Sequence, residues 1–204
     1  MIKETFIQLI GNYTIDNRLI NQLWQEIEDN YSHKKRHYHT LQHLENLLLQ
    51  LHEVKAYIKD WNTVLFTLYY HDVIYNALKR TNEEKSAEFA QNRMQLIMIP
   101  QKYIGHCMQQ ILATKNHIEC NDSDTNFFTD ADLSILGQEW EMYSEYYKNV
   151  RKEYSLYPDI IYIPGRKKVL YHFLQMERIF KTDHFFTKFE IQAKQNLQRE
   201  LALL

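Results

Sequence analysis

Apolar residues recur at intervals of three and four along most of this chain, and that spacing limits the folds it can adopt. A clear example follows Thr14, where the apolar residues that fit one face of an α-helix are Ile15, Leu19, Ile20, Leu23, Trp24 and Ile27. Glycine and proline number only 4 and 3 in 204 residues, whereas a sheet-rich fold needs many tight turns. The sequence therefore predicts an all-α bundle of about eight to ten helices, forming a single domain over residues 1–204.

Two stretches near the middle of the chain carry helix signals. The residues from Trp61 to about Ile74 are apolar almost all round, which predicts a buried central helix. Thr81 and Glu84 fit the Ser/Thr-x-x-Glu capping box, so another helix should begin there.

The second half of the chain alternates between polar and helical stretches. Residues 116–126 are polar and predict a loop, after which a short helix should end at Gly137. Residues 157–165 contain two prolines and are expected to be irregular and in part extended. The remaining helices are expected at 138–153, 166–181 and 184–203.

Charge and cysteine content exclude several functional classes. The formal net charge of -2 gives no overall attraction to nucleic acid or to an anionic membrane. Cys107 and Cys120 lack a metal-ligand spacing and are too few for a disulfide framework, which suits a reducing cytoplasm. No stretch approaches the roughly 18 apolar residues that span a bilayer. We therefore expect a cytoplasmic protein with no nucleic-acid partner and no membrane partner.

Four places along the chain hold candidate metal ligands. They are His39 with His43, the pair His71-Asp72, His117, and Asp130 with Asp132. Imidazole and carboxylate ligands together suit a divalent transition metal, and they differ from the thiolates of a structural zinc site. Each histidine taken singly is more often a helix-end or partly buried residue with a hydrogen-bond partner, and this alternative stays open.

The order of these residues resembles the H…HD…D signature of the HD-domain superfamily of metal-dependent phosphohydrolases, here His43…His71-Asp72…Asp132. In more detail the chain is similar to a bacterial family of small HD proteins. The shared phrases are Arg36-x-Tyr38-His39-Thr40-x-x-His43-Leu44, His71-Asp72-x-x-Tyr75, Asn82-Glu83-x-x-Ser86-Ala87, Asp130-Ala131-Asp132-Leu133-x-Ile135-Leu136-Gly137, Arg151-x-Glu153-Tyr154 and Gly165-Arg166. The resemblance thus extends over nearly the whole chain.

The resemblance implies an HD-type helical fold with one metal site. The implied metal ligands are His43, His71, Asp72 and Asp132. Asp130 is then expected to cap a helix or to support a ligand. Some HD enzymes hold two ions and need further histidines before the last aspartate, but only His106 and His117 lie in that interval. We therefore expect one divalent ion, from among Mn, Fe, Co, Ni, Zn and Mg.

The resemblance also implies an enzyme, a phosphomonoesterase or nucleotidase that acts on a small phosphate ester or nucleotide through a metal-activated water. Asp72 or Glu83 would take or position the proton of that water, although Glu83 equally suits the first turn of a capped helix. The candidate substrate-binding residues are Arg36, His39, His117, Arg151 and Arg166, of which the arginines suit bidentate contact with phosphate.

Two other interpretations stay open. A di-iron oxygenase built on the same scaffold would need about six or more protein ligands, and the sequence offers too few histidines. A metal- or nucleotide-binding module without turnover would keep the ligands and lose the reaction. Neither the substrate nor the oligomeric state, a homodimer included, follows from the sequence.

Overall fold

The computed structural model describes residues 1–204, and every regular element in it is helical. The ten α-helices are α1 Ile2–Gly11, α2 Asn17–Tyr31, α3 Leu41–Glu53, α4 Trp61–Tyr70, α5 Asn82–Leu96, α6 Gln101–Ala113, α7 Ser123–Leu133, α8 Trp140–Glu153, α9 Asp159–Gln175 and α10 Asp183–Leu203. Short 3₁₀ turns occur at Lys55–Tyr57 and Ser134–Gly137. The all-α prediction is confirmed. None of these helices is long and apolar enough to cross a membrane.

The chain divides into two compact units, Met1–Thr129 and Asp130–Leu204. The division falls within α7, so this helix begins in the first unit and ends in the second. The single domain expected over residues 1–204 stays a prediction.

Helix α4 is the most buried element of the first unit. All of its side chains from Thr63 to Tyr70 are buried, and it packs against α1, α3, α5 and α6. A helix that is apolar all round needs such neighbours on every side. Each large side chain buried in this way contributes about 1.5–3 kcal/mol relative to an exposed one. The packing therefore fixes the position of His71, the residue that follows the last turn of α4.

Helix α4 ends at Tyr70, so the helix predicted to reach Ile74 is too long. Two of the amides beyond it bond to side chains outside the helix. The Asp72 amide donates to the Tyr31 hydroxyl at 3.2 Å, and the Ile74 amide donates to the Ser86 hydroxyl at 3.1 Å. Because these partners replace the next helical hydrogen bonds, the chain leaves the helix and turns.

Helix α5 begins at Asn82, as the capping-box pattern predicted, but the bonds of that motif are not formed. The Thr81 side chain makes no capping hydrogen bond. Instead, the Asn82 side chain closes the preceding turn: it accepts from the Asn76 amide at 3.0 Å and donates to the Asn76 carbonyl at 3.1 Å. The capping-box prediction was therefore right about the position and wrong about the bonds.

Residues 116–126 are only partly a loop, because α7 already begins at Ser123. The Asp122 carboxylate accepts hydrogen bonds from the Thr125 amide at 2.9 Å and from its hydroxyl at 2.5 Å. Burial by itself raises the pKa of Asp122, but hydrogen bonds from Thr125 and His106 outweigh burial, so the pKa is lowered. A helix-capping aspartate thus lies inside a stretch whose polarity predicted a loop.

The prediction of irregular structure over residues 157–165 is wrong, because α9 starts at Asp159 and passes through Pro164. Pro158 stands directly before the helix, where its fixed φ favours a helix start. Ile160 and Ile161 in the first turn are exposed. With apolar residues on the solvent side, the sequence shows no helical period here, which explains the error.

Arg166 on α9 and Glu200 on α10 form a buried ion pair in the second unit. The guanidinium donates to both carboxylate oxygens, at 2.7 and 2.8 Å, and the Tyr143 hydroxyl donates to the same carboxylate at 2.5 Å. Burial alone would lower the pKa of Arg166, but Tyr146 and Glu200 outweigh it and hold this pKa well above its usual value. The Arg166 guanidinium is thus occupied by Glu200 within the second unit, which counts against its predicted contact with a substrate.

Glu200→Ala should lower the free energy of unfolding by about 3–5 kcal/mol, because it leaves the buried Arg166 guanidinium without its carboxylate. Urea denaturation followed by circular dichroism measures the change. The matched control is Asp159→Ala, which breaks the exposed Arg151–Asp159 pair at 2.7 Å and should cost less than about 1 kcal/mol. Equal losses in the two variants would contradict the structural role of the buried pair.

Candidate metal centre

Two buried imidazoles face each other in the first unit. His43 lies in the first turn of α3 and His71 directly follows α4, and their Nε2 atoms are 3.2 Å apart. The two residues are only 5% and 1% exposed. His71 Nδ1 lies 3.0 Å from the Leu68 carbonyl oxygen, which can only accept a hydrogen bond. Nδ1 can therefore donate to this carbonyl, and in that tautomer a neutral His71 would offer its Nε2 lone pair to the space shared with His43.

The Asp72 carboxylate adjoins both imidazoles. Its Oδ2 lies 3.2 Å from His71 Nε2 and 4.0 Å from His43 Nε2. The Asp72 side chain is 18% exposed, so this side of the centre is open to solvent. His71 and Asp72, although adjacent in sequence, thus bring Nε2 and Oδ2 to within 3.2 Å of each other, just after α4 ends at Tyr70.

Asp132 completes the group. The atoms of His43, His71 and Asp132 that could coordinate an ion all lie within 4.8 Å of one another. The His43–His71–Asp132 group could hold a metal ion.

The chemistry of these donors fits a divalent metal. Imidazole nitrogens and carboxylate oxygens suit Mn, Fe, Co, Ni or Zn, and carboxylates suit Mg. Cys107, the buried cysteine, is no thiolate donor, because burial raises its pKa to about 12. Its neighbour is the Thr67 hydroxyl, whose oxygen lies 3.5 Å from Sγ.

The Asp130 side chain is held by the residues that precede α10. Its carboxylate is fully buried and accepts hydrogen bonds from the amides of Lys181 and Thr182, at 2.9 and 2.7 Å, just before α10. It also bonds the Lys181 ammonium and the Thr182 hydroxyl. All of these contacts lie within the second unit. Asp130 thus secures the start of α10, in keeping with the supporting role expected for it.

Arg36 supports the centre from inside the first unit. Its guanidinium donates to the carbonyl oxygens of Asp72 at 2.7 Å, Val73 at 2.8 Å and His39 at 3.1 Å. It also lies over the ring of Tyr31, 4.7 Å from the ring centroid, and the residue is only 8% exposed. A guanidinium with this many internal partners is not available to phosphate. These contacts count against the predicted contact of Arg36 with a substrate, and they hold the turn that carries Asp72 and Val73.

Two residues to which the sequence assigned no role, Tyr31 and Ser86, hold the same turn. The Tyr31 hydroxyl accepts from the Asp72 amide, and the Ser86 hydroxyl bonds both the amide and the carbonyl of Ile74. Ser86 lies on the buried side of α5, next to Ala87. A serine among buried apolar residues needs a local acceptor or donor, and this is the signal that could have identified it.

His39 lies beside Asp72 but is not one of the clustered ligand atoms. Its Nε2 is 3.8 Å from Asp72 Oδ2, and its ring stacks on Tyr75 with centroids 4.1 Å apart. Its side chain is 19% exposed, similar to Asp72. A partly exposed imidazole at the edge of the centre could reach a substrate, and the substrate-binding role of His39 stays a prediction.

The other predicted residues have partners of their own. The Glu83 carboxylate lies 3.6 Å from the Lys115 ammonium. The catalytic role of Glu83 stays a prediction. His117 adopts a left-handed backbone with φ 51° just after α6, and its substrate role is likewise untested. Arg151 donates to Asp159 and to two backbone carbonyls within the second unit. The Arg151 guanidinium is therefore occupied, which counts against its predicted contact with phosphate.

Comparison with protein-family models, with curated proteins and with solved structures finds no match to this chain. The functional interpretation therefore rests on the residues and on their geometry.

Arg36→Ala should lower the affinity for a divalent ion about 10- to 100-fold, the usual effect of losing a group that orients metal ligands. The loss follows because the carbonyls of His39, Asp72 and Val73 would no longer share a donor. Isothermal titration calorimetry with Mn²⁺ and Zn²⁺ measures the affinity. Arg36→Lys should recover it only in part, since one ammonium cannot reproduce the guanidinium fork. The exposed Arg18→Ala is the control, and a folded Arg36→Ala protein with wild-type affinity would contradict the positioning role.

Proposed function

We propose that this protein is a metal-dependent phosphohydrolase of the HD type, acting on a small phosphate ester or nucleotide. The observation that supports this most is the meeting of His43, His71 and Asp72 at distances of 3.2–4.0 Å, together with Asp132 in the same group as the two histidines. These are the residues that the H…HD…D order selects.

In this proposal His43, His71, Asp72 and Asp132 hold one divalent ion. Such an ion lowers the pKa of a coordinated water and polarises a phosphoryl oxygen. The chain's own residues orient the reaction. The Leu68 carbonyl favours the His71 tautomer that carries its proton on Nδ1, and Arg36 fixes the backbone of the turn.

Asp72 is the best-placed residue to handle the proton of the attacking water. Its side chain is 18% exposed, which is close to the 19% of His39 and well above the exposure of His43 and His71. A carboxylate at hydrogen-bond distance from a water can accept or orient its proton. Glu83 is the second candidate for this role, and its pairing with Lys115 would need to open first.

The arginines named in the sequence analysis do not neutralise the substrate in this account. Arg36 bonds backbone carbonyls, Arg166 bonds Glu200 and Arg151 bonds Asp159. Charge neutralisation of the phosphate falls instead to the bound ion, with His39 as a neighbouring hydrogen-bond donor. This arrangement favours small substrates with one phosphate group near the ion.

Hydrolysis should require both the ion and its ligands. Purified full-length protein, stripped with EDTA, is assayed against a panel of phosphate esters and nucleotides with Mn, Co, Ni, Mg or Zn added singly. We expect phosphate release with at least one ion. Release should return to the metal-free background in a His71→Ala, Asp72→Ala double variant, because the ion is then no longer held.

The control is His106→Ala, which changes a histidine of the first unit that bonds Asp122 rather than the centre. It should hydrolyse the same ester at the wild-type rate. Activity that survives the double variant would place the reaction elsewhere. Tight metal binding with no release from any ester would favour a binding module without turnover.

A further inference from the structure

The first unit contains a cavity of about 710 Å³ at the opposite end of α4 from His71. Residues at the start of α4 line it, among them Asn62, Thr63 and Phe66, and residues at the start of α6 lie across from them. Helix α4 has ten residues, so its two ends are about 15 Å apart along the axis. The cavity is therefore separate from the metal centre, and no function described above uses it.

Aromatic rings form part of its lining. Tyr13 and Phe66 contact each other with ring centroids 5.7 Å apart. Tyr103, on α6, is 40% exposed and also lines the cavity. Aromatic faces of this kind favour a planar aromatic group, through offset or edge-on contacts worth more than the buried area alone.

The carboxylates of the cavity are occupied by the protein's own donors. Asp124 is buried and accepts hydrogen bonds from the amides of Lys59 and Asp60. Asp60 accepts from the amide and the hydroxyl of Thr63. Asp122 accepts from Thr125 and from His106 Nε2, at 2.8 Å. Their negative charge is met by amide donors at the starts of α4 and α7, where the helix dipole favours it.

The cationic groups of the cavity have no such partners. Lys59 and Lys102 both line it and are exposed, and neither ammonium lies within ion-pair distance of a carboxylate. Lys102 Nζ instead lies 5.6 Å from the centroid of the Tyr103 ring. Asn62 donates to the Tyr13 hydroxyl at 3.1 Å through its nitrogen, which leaves its oxygen as an acceptor for a ligand. The unused binding capacity is therefore aromatic and cationic.

We propose that this cavity binds a small aromatic anion, with its ring against Tyr13 and Tyr103 and its negative group, a carboxylate or a phosphate, at Lys59 and Lys102. A charge-assisted hydrogen bond from an ammonium and the contact of the ring with tyrosine would both contribute to affinity. This site does not depend on the metal centre or on phosphate-ester hydrolysis.

Binding is tested by isothermal titration calorimetry on the full-length protein in excess EDTA, so that no metal-bound phosphate contributes. The probes are benzoate and phenyl phosphate, which share the ring and differ in the anion. Cyclohexanecarboxylate and inorganic phosphate serve as probes without an aromatic ring. We expect saturable binding of at least one aromatic probe and binding about tenfold or more weaker for its non-aromatic counterpart.

Two exposed-residue variants, chosen to leave the fold intact, locate the site. Lys102→Gln and Tyr103→Leu should each weaken binding of the aromatic probe, the former by about tenfold. Lys148→Gln is the matched control. Like Lys102, Lys148 is exposed and adjoins a tyrosine in sequence, and its ammonium lies 5.9 Å from the Tyr147 ring centroid. Lys148 does not line the cavity. It should bind the probe as the wild type does.

Three results would overturn the proposal. The first is no saturable binding of either aromatic probe at millimolar concentration. The second is wild-type affinity in both Lys102→Gln and Tyr103→Leu. The third is equal affinity for aromatic and non-aromatic anions, which would remove the role of the rings.

Discussion

The hydrogen bonds from the Arg36 guanidinium to three backbone carbonyls are the interaction on which the candidate centre depends. They join the segment that leads into α3, through His39, to the turn that follows α4, through Asp72 and Val73. His43 follows the first of these segments and His71 precedes Asp72 in the second, so the same contact holds together the two stretches of backbone that carry the imidazoles. A buried guanidinium suits this task because its donors point in fixed directions and it keeps its charge.

The burial of α4 supplies the second constraint. Because neighbouring helices enclose this helix, packing holds both of its ends in place. Polar contacts are formed at each end. Asp60 and Asp124 fix the start, beside the aromatic and cationic cavity. The Leu68 carbonyl and the Tyr31 hydroxyl fix the chain at the other end, beside the candidate metal ligands. A site built at the ends of a rigid element keeps its geometry without a ligand.

Much of this could be predicted from the sequence, because helical spacing and scarce turn formers determine an all-α fold. The choice of Asp132 over Asp130 as a ligand followed from motif order, and the contacts of Asp130 within its own unit agree with it. Helix α9 was missed because its first apolar residues face solvent. The partners of Arg36 and Arg166 could not be predicted, because a sequence shows a charge but not what it bonds, and both guanidinium groups bond inside the protein. Side-chain partners distant in sequence are the part that only the structure supplies.

The most direct test of the central claim is a crystal structure of the full-length protein soaked in Mn²⁺, with anomalous scattering used to locate the ion. The account predicts one strong anomalous peak per chain, within about 2.0–2.3 Å of Nε2 of His43 and His71 and of carboxylate oxygens of Asp72 and Asp132. A map with no peak at these residues under saturating Mn²⁺, or with its only strong peak elsewhere, would contradict it.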